Sequence, residues 1–433
     1  MHKVAFYKAG SILRFSWRLR LLLLAVLLAI LLIAATLYRG ESAIPVEQME
    51  TPAAGAARLP RLTTVPGGGA IMSWVEPAGD QHVLKYALLK DGQWQRDGIV
   101  TQGQGWFVNW SDFPSVVAID DTFWLAHWLV KQPGGNTYDY DIALAISNDA
   151  GMSWRQIGSP HRDGKAAEHG FVSIFADRGA AGVIWLDGRD FVSHPPPPGH
   201  EGHHASHSGN FSLMYTRVLA DGSMEAEQVV DGNTCTCCWT AVASVPDGTV
   251  AAWRGRTDDE IRDNRVARLV DGNWKASQPL GGEQWKIAGC PVNGPALTAR
   301  ENRVLAAWFT AEGDRPRVRA AISSNGGQEF SVPVDLDDRR PLGRIDALWL
   351  DDDRALISWM ANPGKKTSEL VVRIIDIHGQ VREVSSLGKL SAGRDSGVPQ
   401  MVRDGNHLYV AWTKPQPDFG IALGHIPVAQ FHD

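Results

Sequence analysis

Three of the chain's four cysteines fall within four positions. Cys235, Cys237 and Cys238 lie in "DGNTCTCCWTAV", and Cys290 stands alone in "WKIAGCPVNGPA". Thiols so placed can do three kinds of chemistry. Four is an even number, which suits two disulfides in an oxidising compartment, Cys290 joining the cluster and the remaining two pairing closely, as in a vicinal Cys237–Cys238 bridge. Thiolates also bind soft ions such as Cu(I), or Zn(II). Cys-x-Cys-Cys is not a zinc-finger spacing, but Cys235, Cys237 and Cys290 with His161 or His169 would make a four-ligand cage, Cys238 being a further sulfur. A reactive redox thiol is the third reading. A second stretch, "SHPPPPGHEGHHASHSGN" (193–210), holds His194, His200, His203, His204 and His207. Its Pro- and Gly-rich composition makes it a loop. It would bind Cu(II), Ni(II) or Zn(II) weakly as a solvated insertion, or serve as a metal-capturing lid.

The choice depends on compartment. Residues 21–38, "LLLLAVLLAILLIAATLY", are an uncharged apolar run, about the minimum length for a membrane span. Lys3, Lys8, Arg14, Arg18 and Arg20 precede it, whereas Glu41, Glu47 and Glu50 follow. The positive-inside rule then puts segment 1–20 in the cytoplasm and residues 40–433 in the periplasm or outside the cell. We read a transmembrane signal anchor, with a cleaved signal as the alternative. The partner implied is the inner membrane. A net charge of −6 gives no reason to expect nucleic acid.

What must position the cysteines is an all-β chain. Short apolar runs alternate with Asp-Gly and Asn-Gly turns after the anchor. One pattern recurs: strand, turn, strand ending in Trp. It ends at Trp74, Trp128, Trp185, Trp253, Trp308, Trp359 and Trp412. A second hairpin follows each of the first six, as in "LKYALLKDGQWQ" and "VARLVDGNWK". Four strands per unit at this period predict a β-propeller over 56–430, of seven blades by repeat count, or six if one unit is not a full blade. Only one strand, "GIALGHIP", follows Trp412. Segment 39–55 reads as a linker in which "AIPVEQME" could supply the missing outer strand. The tryptophans themselves read as packing between blades.

"SNDAGMSW" (147–154) resembles the Asp-box of sialidases and their relatives, Ser-x-Asp-x-Gly-x-x-Trp. "SSNGGQEF" (323–330) resembles it with Asn325 and Phe330 substituted, and "RLPRL" (58–62) is similar to the Arg-Ile-Pro that opens sialidase domains. The chain thus resembles the sialidase-like propeller superfamily, in particular exported bacterial members without known activity, over roughly residues 44–430. The Asp-box is a structural turn in which the acidic side chain caps backbone N–H groups. The resemblance implies an active site on the face opposite these turns. That face carries the loops between blades and those after each Trp.

On that face the sequence places Asn109 and Asp112; His161, Glu168 and His169; the cysteine cluster; Cys290 and Asn293; Arg344 and Asp346; and Arg394 and Asp395. The post-Trp loops add Tyr138, Tyr140, Asp141, Asp187, Arg189 and "RGRTDDEIRDNR". Sialidase chemistry, as the resemblance implies it, needs an arginine triad gripping a carboxylate, a tyrosine nucleophile activated by a glutamate, and an aspartate acid/base. Candidates for the arginines are Arg58, by its motif, with Arg189, Arg254, Arg256, Arg262 and Arg344. Tyr138 or Tyr140 would be the nucleophile, Glu260 its base, and Asp112 or Asp187 the acid. The charged loop 254–263 reads equally as a surface ion-pair network, or as carboxylates holding Ca²⁺. Three functions follow: a membrane-tethered hydrolase or lyase acting on an anionic glycan, with a deep axial pocket; a Cys/His protein handling copper or zinc; and a disulfide-braced scaffold presenting a binding face.

Overall fold

The computed structural model describes Trp17 and residues 42–431, other than 195–205, 362–363 and 415–417. Residues 21–38, the expected membrane span, and most of the histidine-rich loop lie outside the described residues. No helix among the described residues is long and apolar enough to cross a membrane.

Seven antiparallel sheets make the propeller, each built on four strands, and two of them carry a fifth short strand. Their innermost strands are Arg58–Thr64, Ser115–Ala118, His169–Asp177, Ala241–Val245, Ala296–Arg300, Gly343–Trp349 and Gln400–Asp404. The count is therefore seven, not six. Blade four splits its outer strand into Asn273–Trp274 and Gln278–Pro279. Blade three carries an extra hairpin, Val192–His194 with Ser206–Ser208. Blade seven is completed from the other end of the chain. Glu47–Met49 pairs antiparallel with Gly420–Pro427, Glu47 opposite His425. Ile44 and Val46 pack onto the core between blades six and seven, and Met49 onto the core between blades seven and one. Deleting residues 43–50 removes this clasp and three half-buried apolar side chains. We expect a loss on the order of 3 kcal/mol in the calorimetric unfolding of the full chain, without loss of the other six blades' β signal.

The tryptophan repeat forms the interior. Trp74, Trp128, Trp185, Trp253, Trp308 and Trp359 are all buried, and Trp412 is half-buried. Burying an indole leaves its N–H to be satisfied, and five blades do this with a carboxylate. Trp74 donates to Glu76 (2.6 Å), Trp185 to Asp187 (2.8 Å), Trp253 to Asp231 (2.9 Å), Trp308 to Glu283 (2.9 Å) and Trp359 to Asp337 (2.8 Å).

Both Asp-box turns fold alike. Ser147 Oγ accepts the Gly151 N–H, and Asp149 accepts the Ser153 N–H at 2.8 Å. Ser323 Oγ accepts the Gly327 N–H, and Asn325 accepts the Glu329 N–H at 3.0 Å. An amide oxygen can take the carboxylate's place because only acceptor capacity is required.

A bulge repeats in the first strands of blades one, three and six. The register slips between Arg58 and Arg61, Gly170 and Ser173, and Gly343 and Asp346. Leu59, Phe171 and Arg344 sit inside these bulges with φ of 57°, 54° and 56°. A bulge re-aims the side chains beyond it, and here Arg61, Ser173 and Asp346 turn into a central channel of about 820 Å³.

Candidate functional site

The inter-blade face carries three polar groups, which share out the residues expected to do chemistry. The first lies between blades two and three. The Tyr140 hydroxyl is 2.9 Å from Asp112 Oδ2 and 3.0 Å from Glu168 Oε1. Asp112 Oδ1 accepts the Phe171 N–H at 2.9 Å, and the phenol ring stacks on Phe107 with centroids 4.1 Å apart. Tyr140 is fully buried, Asp112 is 2% exposed and Glu168 is half-buried. Burial pushes Asp112 up to about 7 and Glu168 up to about 8. Burial and the two carboxyls push the Tyr140 phenol well above its usual range. A phenol has one hydrogen to donate, so the second bond needs a protonated carboxyl as donor. The trio therefore stores a proton near neutral pH. It joins tyrosine, glutamate and aspartate in one hydrogen-bonded chain, with Glu168 rather than Glu260 as the glutamate.

Beside it His161 and His169 stack face to face, 3.7 Å apart. His169 lies 3.0 Å from Asp163, 3.5 Å from Asp141 and 3.6 Å from Asp187. Burial works against a charge on His169, but these carboxylates outweigh it and raise its pKa; burial lowers His161 to about 4. The aspartates thus favour the charged form of His169, and burial disfavours that of His161. Asp187, buried, takes both Arg189 and the Trp185 indole (2.6–2.8 Å). Arg189 also pairs with Asp163 at 2.9 Å and Glu227 at 2.6 Å. Asp141, His161 and His169 could hold a cation, as could Asp163, His169 and Asp187, though Arg189 already neutralises the latter pair of aspartates. The expected cage of three cysteines and a histidine does not form. Both histidines are committed to this aspartate group, because their loop returns to blade two rather than to blade four.

The third group centres on the cysteines. Cys237 and Cys290 are disulfide-bonded, whereas Cys235 and Cys238 are free and buried. A vicinal Cys237–Cys238 bridge is not what forms. Cys235 Sγ lies 3.8 Å from Cys238 Sγ and 4.0 Å from Cys237 Sγ. Arg262 donates to Cys235 Sγ at 3.3 Å. The Cys238 thiol, together with Arg262 and Arg254, holds Cys235 below the usual thiol range. Arg256 (2.5 Å) and Arg262 (2.7 Å) both grip Glu260, which makes the ion-pair network one reading of loop 254–263 foresaw.

The remaining arginines are engaged elsewhere. Arg254 is 1% exposed and donates to the carbonyls of Asn293 (2.9 Å), Arg262 (2.7 Å) and Phe309 (2.8 Å). Arg344 donates to the Gly393 and Gly397 carbonyls and to Ser396 Oγ, and lies over Trp110. Arg58 is exposed. The bulge at Leu59 instead sends Arg61 into the channel, bonded to Gln400 and over Phe113. There burial pushes Asp346 up to about 6, against the pull of Arg61. Trp110, Phe113, Phe171, Trp239 and Val398 pack together.

A cleft that sequence reasoning missed lies between blades six and seven. It encloses about 980 Å³ and is bordered by Lys365, Lys366, Lys389, Arg394, Lys414 and Trp412, with Asp395 and Asp418. Among the described residues none of these five cations forms an ion pair. The signal was the pair "KK" after Trp359 together with the lone lysine just beyond Trp412.

No family model and no curated protein matches the chain. Among solved structures it is similar to an ulvan lyase, a polysaccharide lyase bound to -[GlcA(1-4)Rha3S]-. The identity is 11% over 88% of this chain and 96% of that one, with a TM-score of 0.50. It is similar also to the NanB sialidase from Streptococcus pneumoniae (9% identity, 84% of each chain, TM-score 0.46). A third is the Trypanosoma rangeli sialidase in complex with sialic acid (12%, 91% of this chain and 60% of that one, TM-score 0.44). At such identities the likeness is one of fold: the chain is built as a seven-bladed β-propeller.

Proposed function

We propose that the protein is a glycan-acting propeller, held at the membrane by residues 21–38 with its blades outside the cytoplasm, and that it takes an anionic polysaccharide into the cleft between blades six and seven. The observation that carries this reading is the lining of that cleft. Five cations without ion-pair partners surround Trp412, the one repeat tryptophan that is not fully buried. Exposed cations on flexible stems suit carboxylate or sulfate groups, and an indole face suits the apolar face of a sugar ring. A saccharide is also what the ulvan lyase of the same fold binds. Apart from Arg58, which is exposed, the arginines expected to grip a sialic acid carboxylate are spent on backbone carbonyls, a hydroxyl and carboxylates, which favours a polymer bound along a surface cleft over a sugar held in an axial pocket.

The test uses the full chain in detergent with defined uronate-containing, sulfated, sialylated and neutral oligosaccharides. Binding is read by calorimetry. Turnover is read as new reducing ends for hydrolysis, and as the absorbance of unsaturated uronates for elimination. Anionic polymers should bind with an affinity that falls steeply with salt. K389E/K414E should weaken binding at least tenfold while leaving the unfolding temperature unchanged, both side chains reaching solvent. Equal binding of neutral glycans, or an unaltered affinity in the double variant, would reject the cleft as the site.

A further inference from the structure

We propose that Cys235, Cys237, Cys238 and Cys290, once the Cys237–Cys290 disulfide is reduced, form a tetrathiolate site for a zinc-class cation at the junction of blades four and five. In this reading the disulfide is the closed, metal-free state of the same site.

Four observations support it. The first is number and position. Cys235 and Cys238 are separated by two residues, the spacing at which a tight turn presents two sulfurs to one ion. Cys237 lies between them, and Cys290 comes from the neighbouring blade to the same point. The second is distance. A tetrahedral ion with metal–sulfur bonds of about 2.3 Å has sulfur–sulfur edges of about 3.8 Å. The Cys235–Cys238 and Cys235–Cys237 separations are 3.8 and 4.0 Å. The sulfurs of Cys235, Cys237 and Cys290 all lie within 4.8 Å of one another, and Cys238 joins this trio through Cys235. The third is the surrounding shell. Arg262 donates to Cys235 Sγ, the Asn293 N–H bonds to Cys238 Sγ, and the Thr236 hydroxyl is 3.8 Å from Cys290 Sγ. Donors aimed at thiolate sulfur are what a ligating cysteine uses to hold its orientation. The fourth is charge. Four thiolates around a dication leave two negative charges, and Arg262 and Arg254 stand against them, Arg262 in turn held by Glu260.

The chemistry balances in two steps. An external dithiol gives two electrons and two protons to Cys237–Cys290 and leaves as its own disulfide, freeing two thiols. The four sulfurs then bind the ion as thiolates, releasing to solvent whatever protons they still carry as four metal–sulfur bonds form, with no change in oxidation state. Metal loading is therefore gated by the outer pair. Cys290 is exposed and open to the reductant, while Cys235 and Cys238 are buried and keep their sulfurs ready.

The experiment takes the full chain in detergent, divided into an oxidised sample and one reduced with a dithiol and desalted without oxygen. Each is titrated with Co²⁺ alone as the optical probe, then with Zn²⁺. The reduced chain should take up one Co²⁺ with the intense charge-transfer and visible bands of tetrahedral thiolate cobalt, and Zn²⁺ should displace it. The oxidised chain should show none. Cys238→Ser should lower the reduced chain's affinity at least tenfold, and the double variant H161A/H169A should leave it unchanged. The comparison of oxidised with reduced wild type needs no substitution, so a variant that fails to fold does not blunt the test. Absence of thiolate bands in the reduced chain, the same bands in the oxidised chain, or a spectrum that depends on the histidines would each overturn the proposal.

Discussion

Raising the pH from about 5 to about 8.5 should destabilise the propeller through Asp112 and Glu168, by an amount on the order of 3 kcal/mol. Both carboxyls titrate near 4 in an unfolded chain, but burial moves them up to about 7 and about 8 in the fold. Between those limits the folded state binds more protons than the unfolded one, so stability falls as pH rises and levels off above the folded values. His169, whose pKa is raised, adds to the same slope. Cys235, whose pKa is lowered, opposes it where the thiol is free. Asp141 and Asp187, held low by their partners against the cost of burial, matter only in acid. The assignment is therefore read from a difference. Asp112→Asn keeps the acceptor for the Phe171 N–H and lets the amide donate to the phenol oxygen. Urea unfolding across this range should give a shallower pH slope than in the wild type. Tyr140→Phe should instead cost about 2 kcal/mol at low pH, because the buried Asp112 and the half-buried Glu168 lose their shared partner. Parallel slopes in wild type and Asp112→Asn would show that the trio does not hold the proton.

How far the sequence foretold these contacts follows from the range over which each is decided. Blade number rests on a local motif repeated along the chain, and the Trp period therefore counts to seven. The Asp-box at 147–154 is closed by residues within its own turn, so eight letters suffice to read it. Asp112, Tyr140 and Glu168 could be set on one face by strand alternation, but not paired, because pairing depends on how blades two and three meet. Arg58 and Arg61 show the limit most plainly. A positive φ at Leu59 shifts the register by one residue, and the arginine that matches a motif goes to solvent while its neighbour enters the channel. The basic cleft is legible only once blades six and seven are adjacent. Lys365 in a loop, Lys389 in an outer strand and Lys414 at a strand end are unrelated lysines until the ring closes.

Arg254 makes the same point energetically and carries the second large prediction. It was a candidate for binding a substrate carboxylate, and its surroundings give it other work. Its guanidinium reaches three backbone carbonyls, two of them on the loop before blade five and on that blade's second strand, and it lies over the Trp285 ring at 5.1 Å. Truncation would leave three buried acceptors unpaired and a cavity against Trp285, so Arg254→Ala should cost on the order of 4 kcal/mol in urea unfolding. Arg254→Lys should recover only part of this, since a single ammonium cannot span three carbonyls with the planar fork of a guanidinium. Arg58→Ala, at an exposed site, should stay within about 0.5 kcal/mol of wild type. A residue kept to grip a substrate would show the opposite pattern, with ligand affinity lost and stability kept or raised. If Arg254→Ala unfolds at the wild-type urea midpoint but no longer binds an anionic glycan, Arg254 belongs to the binding site, and the cleft between blades six and seven must yield that role to the junction of blades four and five.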